Sequence, residues 1–115
     1  MKTSEMQGVA LDWVVAKAGM EDFWFVAGEF FISGEDDPYH PSTNWAQGGP
    51  IIAGEECIAT LERLNGGDWR VQAPYDAVQD KPGDYYYGPT PLIAAMRCFV
   101  SSKLGDEVEI PEELK

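Results

Sequence analysis

Asn65-Gly66-Gly67-Asp68 stands between two runs of strand formers, Cys57 to Leu64 and Trp69 to Ala73. A short Asn/Gly/Asp turn flanked by such runs is a hairpin signal, because Gly and Asn take the positive φ that a tight turn demands. The turn therefore commits the middle of the chain to antiparallel pairing. That excludes an all-parallel, doubly wound architecture and leaves a sheet with one face to cover.

Helices on either side supply the cover. Thr90-Pro91 reads as N-cap and first helical residue, and Leu92, Ile93, Met96, Phe99, Val100 and Leu104 keep helical spacing. Lys103 in the last turn and Gly105 just past it close that helix. At the other end, Ser4-Glu5-Met6-Gln7 fits a capping box, with Gly8 delaying the regular helix to about Val9. Leu11, Val14, Val15 and Ala18 form its apolar stripe, flanked by Ala10 and Trp13, and Gly19 is a plausible stop. Phe23 to Val26 and Glu29 to Ser33, broken at Gly28, read as one bulged strand or two short strands in a hairpin. Pro74 to Gly83 reads as a surface loop and Tyr85-Tyr86-Tyr87 as a short extended piece. The expected fold is α+β: a small antiparallel sheet of three to four strands packed by an N-terminal and a C-terminal helix, in one domain over residues 1–115. The acidic tail at 106–115 is expected to pack loosely through Val108 and Ile110.

Charge narrows the partners. The formal net charge is −12. Nucleic-acid binding draws on Lys and Arg to displace counterions, so direct nucleic-acid binding is not expected, nor is an anionic membrane surface. Double-stranded-RNA-binding domains share the α-β-β-β-α order but need a basic face. No apolar run nears the roughly 20 residues that span a bilayer, and no signal segment follows Met1-Lys2-Thr3-Ser4-Glu5. Cytosolic residence is the expectation, with Cys57 and Cys98 as buried thiols.

The long segment 34–50 carries the chemistry. A structureless stretch of that length in a small domain is usually functional. Tyr39 and Trp45 offer faces for stacking; Ser42, Thr43, Asn44 and Gln47 offer neutral hydrogen bonds; Gly48 and Gly49 allow backbone amides to approach a ligand. The alternative is a tightly turned loop whose Trp plugs the core and whose Asn and Thr cap turns. Thr90, opening the last helix, is a candidate phosphate contact, though capping alone explains a Thr there. Arg97, on the apolar face of that helix, is a candidate anion contact or subunit ion pair, against the plainer reading of a guanidinium paired with an acid or reaching solvent. Asp36, Asp37 and His40 match a metal pattern only as any acidic loop does, and Glu35-Asp36-Asp37 reads as a solvated turn. Trp13, Trp24 and Trp69 are expected in the core. There is no nucleophile elbow, no His-Glu-x-x-His and no phosphate-binding Gly-rich motif, so no catalytic residue, metal or cofactor is assigned.

Three blocks of sequence carry a resemblance. They are Lys2-Thr3-Ser4-Glu5 with Ala10-Leu11-Asp12-Trp13 and Ala16-Lys17-Ala18; Tyr39-x-Pro41-Ser42-Thr43-Asn44-Trp45-Ala46-Gln47-Gly48-Gly49-Pro50-Ile51-Ile52; and Tyr87-Gly88-Pro89-Thr90-Pro91-Leu92-Ile93-Ala94-Ala95-Met96-Arg97. Together they resemble the NinX-like family of small tailed-phage and prophage proteins, a domain of unknown function. That family often carries Asp where this chain has Asn44, and the stretch from Ala73 to Tyr86 is longer here than the resemblance leads one to expect. The resemblance implies a phage accessory protein acting in the host cytoplasm, and no known reaction. The expectation is a non-enzymatic binder that sequesters a nucleotide-like molecule, such as a host immune signal. Its site would be Tyr39, Ser42, Thr43, Asn44, Trp45, Gln47, Gly48, Gly49, Thr90 and Arg97. A homo-oligomer is expected, because the aromatic-rich strands offer more apolar face than two helices cover. The alternative is an acidic interaction module that docks on a host or phage protein. A third reading, a hydrolase of the same nucleotides, is distinguished by turnover.

Overall fold

The computed structural model describes residues 1–19, 22–26, 29–32, 34, 37–54, 58 and 60–111. Expectations that touch Gly28, Ser33, Glu35, Asp36, Cys57 and the last four residues of the tail lie outside them.

The apolar periodicity at each end of the chain becomes helix α1, Gly8–Ala18, and helix α3, Pro91–Leu104. A 3₁₀ turn over Thr3–Glu5 precedes α1. The expected capping box does not form: Gln7 occupies the N-cap position and makes no side-chain cap. Gly8 explains this, because its positive φ of 61° breaks the path from Ser4 into a continuous helix. Gly19 ends α1 as expected, its amide donating to Val15 O. At α3, Thr90 Oγ1 accepts the Ile93 amide at 3.1 Å, Pro91 opens the helix and Gly105 ends it. The two helices pack on each other and bury Leu11, Val14, Val15, Met96, Phe99 and Val100 completely or nearly so.

Strands β3 (Thr60–Arg63), β4 (Trp69–Gln72) and β5 (Tyr85–Gly88) form one antiparallel sheet in that order. The hairpin register pairs Arg63 with Trp69 around the expected turn, where Gly67 takes a φ of 93°. Val71 and Tyr86 face α3, and Tyr86 Oη bonds Ser101 Oγ at 3.1 Å. Gly88 lets β5 cross α3 closely, since a Cβ there would lie 2.7 Å from the Ala94 amide nitrogen. Strands β1 (Phe23–Val26) and β2 (Glu29–Ile32) pair separately as a two-stranded hairpin. The α+β class stands, with five strands among the described residues divided between two sheets. Trp24 departs from expectation: it is exposed and stacks on Phe31, whereas Trp13 and Trp69 pack against the core.

Two further corrections matter for the site. The segment expected to be irregular through residue 50 turns helical at Trp45, giving helix α2, Trp45–Gly54. Asn44 starts it, its Oδ1 accepting the Ala46 amide at 2.9 Å. Gly48, Gly49 and Pro50 look like helix breakers, yet close packing outweighs propensity. A Cβ at Gly48 would lie 2.3 Å from Pro41 O and 2.7 Å from Leu92 Cδ2, so only glycine lets α2 lie against the loop and α3. The tail is also less loose than expected. Ile110 is buried, Met1 and Val108 exchange backbone hydrogen bonds, and Thr3 Oγ1 donates to Gly105 O at 2.8 Å.

Candidate functional site

The loop leading into α2 is held by a carboxylate that the sequence reading passed over. Asp12 lies in α1 and is almost completely buried. Its Oδ1 accepts the Ser42 amide at 2.8 Å, and its Oδ2 lies 3.8 Å from Nδ1 of half-exposed His40. Burial pushes the Asp12 carboxyl above its ordinary value; the Ser42 hydroxyl and amide, and then His40, pull it part of the way back. The signal was present in the sequence. Between Gly8 and Ala18 the only ionisable residues are Asp12 and Lys17, and an acid between Leu11 and Trp13 in so apolar a helix requires a buried partner.

Around this anchor, several expected ligand contacts turn out to hold the loop itself. Tyr39 is buried in the core cluster. Gln47 Oε1 accepts the His40 amide at 2.5 Å, while Gln47 Nε2 donates to Pro38 O at 2.8 Å. Asn44 caps α2. Gly48 is a packing glycine, and its amide is taken by Asn44 O at 2.8 Å. Gly49 sits within α2 over the Trp45 ring.

Four of the ten expected residues come together. Ser42, Thr43, Trp45 and Thr90 line one cleft of about 200 Å³, completed by Pro91 and Leu92. Trp45 is 54% exposed, so it presents a ring face instead of plugging the core. Ser42 is 1% exposed, and its Oγ approaches the Asp12 carboxylate without the geometry of a full hydrogen bond. The N-terminus of α3 opens into the same cleft. Pro91 has no N–H, Ile93 and Ala94 donate to Thr90, and the Leu92 amide has no partner among the described residues. The cleft thus brings together a flat aromatic, three hydroxyls, an unpaired amide and the positive end of a helix, with no carboxylate in its lining.

Arg97 lies elsewhere. It is 9% exposed and neither pairs with an acid among the described residues nor reaches into solvent. Its Nε donates to Met6 O and one terminal nitrogen to Tyr87 O, both at 2.8 Å. Arg97 thereby ties the N-terminal segment and β5 to α3, and burial lowers its pKa. It also lines a second cavity, about 570 Å³, with Asp68, Asp84, Asp106 and Tyr85 to Tyr87.

Asp12, His40 and Ser42 invite comparison with a hydrolytic triad, but the connectivity differs. A triad passes a proton from Ser Oγ to His, with Asp behind the His. Here Ser42 and His40 both approach Asp12, and Ser42 Oγ has no bond to His40.

Fold and lining together define a small α+β protein with a preformed cleft at a helix N-terminus. The sequence matches the family described as "Bacteriophage P22, NinX" over residues 2–103, and the chain belongs to that family. No curated protein matches it. Among the described residues, no helix is long and apolar enough to cross a membrane.

Proposed function

We propose that this phage accessory protein is a binder of a nucleotide-like small molecule, held at the cleft between the loop and α3 and released unchanged. The supporting observation is the convergence of exposed Trp45 with the α3 N-terminus and the buried Ser42 hydroxyl. Trp45 stacks on the base. The unpaired Leu92 amide and the helix dipole favour an anionic group, and Thr43 reaches a sugar hydroxyl. Whole-ligand pockets run from roughly 300 to 1,000 Å³, so a cleft of about 200 Å³ grips one part of the ligand. The remainder lies over α2 or against a second copy of the chain. Arg97 is not part of this site, and the phosphate role expected for it passes to the α3 N-terminus.

Native mass spectrometry with mononucleotides and cyclic dinucleotides tests the reading. A mass increment retained by the wild type, lost in Trp45→Ala and released intact on denaturation, supports it. Release of a hydrolysed product would make the protein an enzyme. Equal binding by Trp45→Ala would remove the cleft from consideration.

A further inference from the structure

The second cavity runs alongside β5, an edge strand of the three-stranded sheet. The hydrogen-bond pattern fixes which backbone groups face it. Ala73 N–H donates to Asp84 O, so Asp84 is a hydrogen-bonded position, as are Tyr86 and Gly88 further along the register with β4. Tyr85 and Tyr87 fall between them and turn their N–H and C=O groups away from β4. Arg97 takes one of these, Tyr87 O. The Tyr85 N–H, Tyr85 C=O and Tyr87 N–H have no partner among the described residues. A strand edge with open donors and acceptors is a template for a further strand.

The cavity walls say what charge that strand carries. Asp84 stands at the start of β5. Asp68 stands past its far end, next to Trp69, whose register partner is Gly88. Asp106, whose Oδ1 accepts from Ser101 Oγ, and Ser4 line the same cavity. Arg97, the one cation among the described residues that line the cavity, is already committed to two carbonyls, and Arg70, on the neighbouring strand, is paired with Glu62. Tyr85 and Tyr87 are about half exposed, and the Arg70 guanidinium lies 4.5 Å over the Tyr85 ring; the ring surface it does not cover is left for aliphatic stems.

The geometry points to β5 as a docking edge for an extended, basic segment of a partner protein. The segment adds antiparallel or parallel to β5, accepting from Tyr85 and Tyr87 amides and donating to Tyr85 O. Lys or Arg side chains at alternate positions reach Asp68, Asp84 and Asp106. This surface is separate from the Trp45 cleft, so either site can fail its test without affecting the other.

The test uses the full chain and a short synthetic peptide alternating lysine and valine, with an alternating glutamate–valine peptide as control. Amide hydrogen exchange is read with and without peptide. The expected result is slowing of exchange at Tyr85 and Tyr87 by tenfold or more with the basic peptide only. Affinity should fall at least tenfold in Asp68→Asn/Asp84→Asn/Asp106→Asn, and steeply as salt rises. Tyr87→Pro removes one outward N–H without removing a ladder bond; it should lose affinity, while Tyr87→Phe retains it. No binding at low salt overturns the proposal. So does binding without protection of those two amides, or equal capture of the acidic peptide. Protection that grows with protein concentration alone would also overturn it and assign the edge to a second copy.

Discussion

Asp12 and Ser42, thirty positions apart, meet through a 2.8 Å hydrogen bond from the Ser42 amide to Asp12 Oδ1. That bond fixes the end of the loop against α1, and with it the position of Trp45 three residues later. The bond needs an acceptor and not a charge. Asp12→Asn should therefore keep the loop in place. Asp12→Ala leaves a buried amide unpaired and should cost about 1–3 kcal/mol, read from urea denaturation midpoints.

The same carboxylate gives a pH dependence of known sign. Burial holds its folded-state pKa above the ordinary value of 3.8. An acid shifted upward binds its proton more tightly in the folded state than in the unfolded state. Its contribution to stability is full below the ordinary value and is lost as pH rises through the folded value. The wild type should carry that loss as pH rises above 3.8 and through the folded-state value, and Asp12→Asn should not. Chemical denaturation of both proteins at a series of pH values checks this; parallel curves would contradict it.

Gly48→Ala drives a methyl group into Pro41 O and Leu92 Cδ2. One of these is backbone and cannot swing aside, so overpacking of about 1–3 kcal/mol or more is expected. A thermal melt measures it. Gly49→Ala, whose Cβ would meet only the Trp45 ring at 3.9 Å, should be tolerated.

Arg97→Leu leaves the carbonyls of Met6 and Tyr87 without their donors. Unpaired buried acceptors cost about 1–3 kcal/mol each, so the variant should be strongly destabilised. Arg97→Lys should recover only part of the loss, because an ammonium lacks the planar fork that reaches both carbonyls. Equilibrium unfolding of the three proteins ranks them.

Trp45→Ala and Thr90→Ala separate binding from folding. Trp45 is exposed, so its truncation should change stability by no more than about 0.5 kcal/mol while abolishing ligand capture. Thr90 caps α3, and its loss should cost about 0.5–2 kcal/mol whether or not a ligand binds. Calorimetric melting with and without nucleotide distinguishes the two.

What could be read from the sequence was governed by how local the cause was. Thr90, Pro91 and Gly105 set α3 through their own backbone preferences, and the Asn65–Asp68 turn set the hairpin in the same way. One helical turn at Ile51 and Ile52 is legible in the sequence, but the start of α2 at Trp45 is not, because its cause is not local. Gly48 and Pro50 weaken a helix, and only contact with Pro41 and Leu92 reverses that judgement. The site divided along the same line. Trp45, Ser42, Thr43 and Thr90 meet because the loop and the α3 start are neighbours in space. Gln47, Asn44 and Tyr39 carry the same chemistry, but the fold uses it to hold the loop. Arg97 on an apolar face calls for an anion or for solvent, whereas two carbonyls satisfy it.

The ends of the chain carry a consequence for the order of assembly. Met6 is held by Arg97, 91 residues later, and Thr3 by Gly105, 102 residues later. During synthesis Thr3 and Met6 must therefore wait for residues made about a hundred positions later. Until α3 has left the ribosome, the 3₁₀ turn has nothing to dock on, and the apolar face of α1 stays uncovered. That face stays exposed while the residues between α1 and α3 are made, so slowing translation across them should lengthen the nascent chain's dependence on holding chaperones.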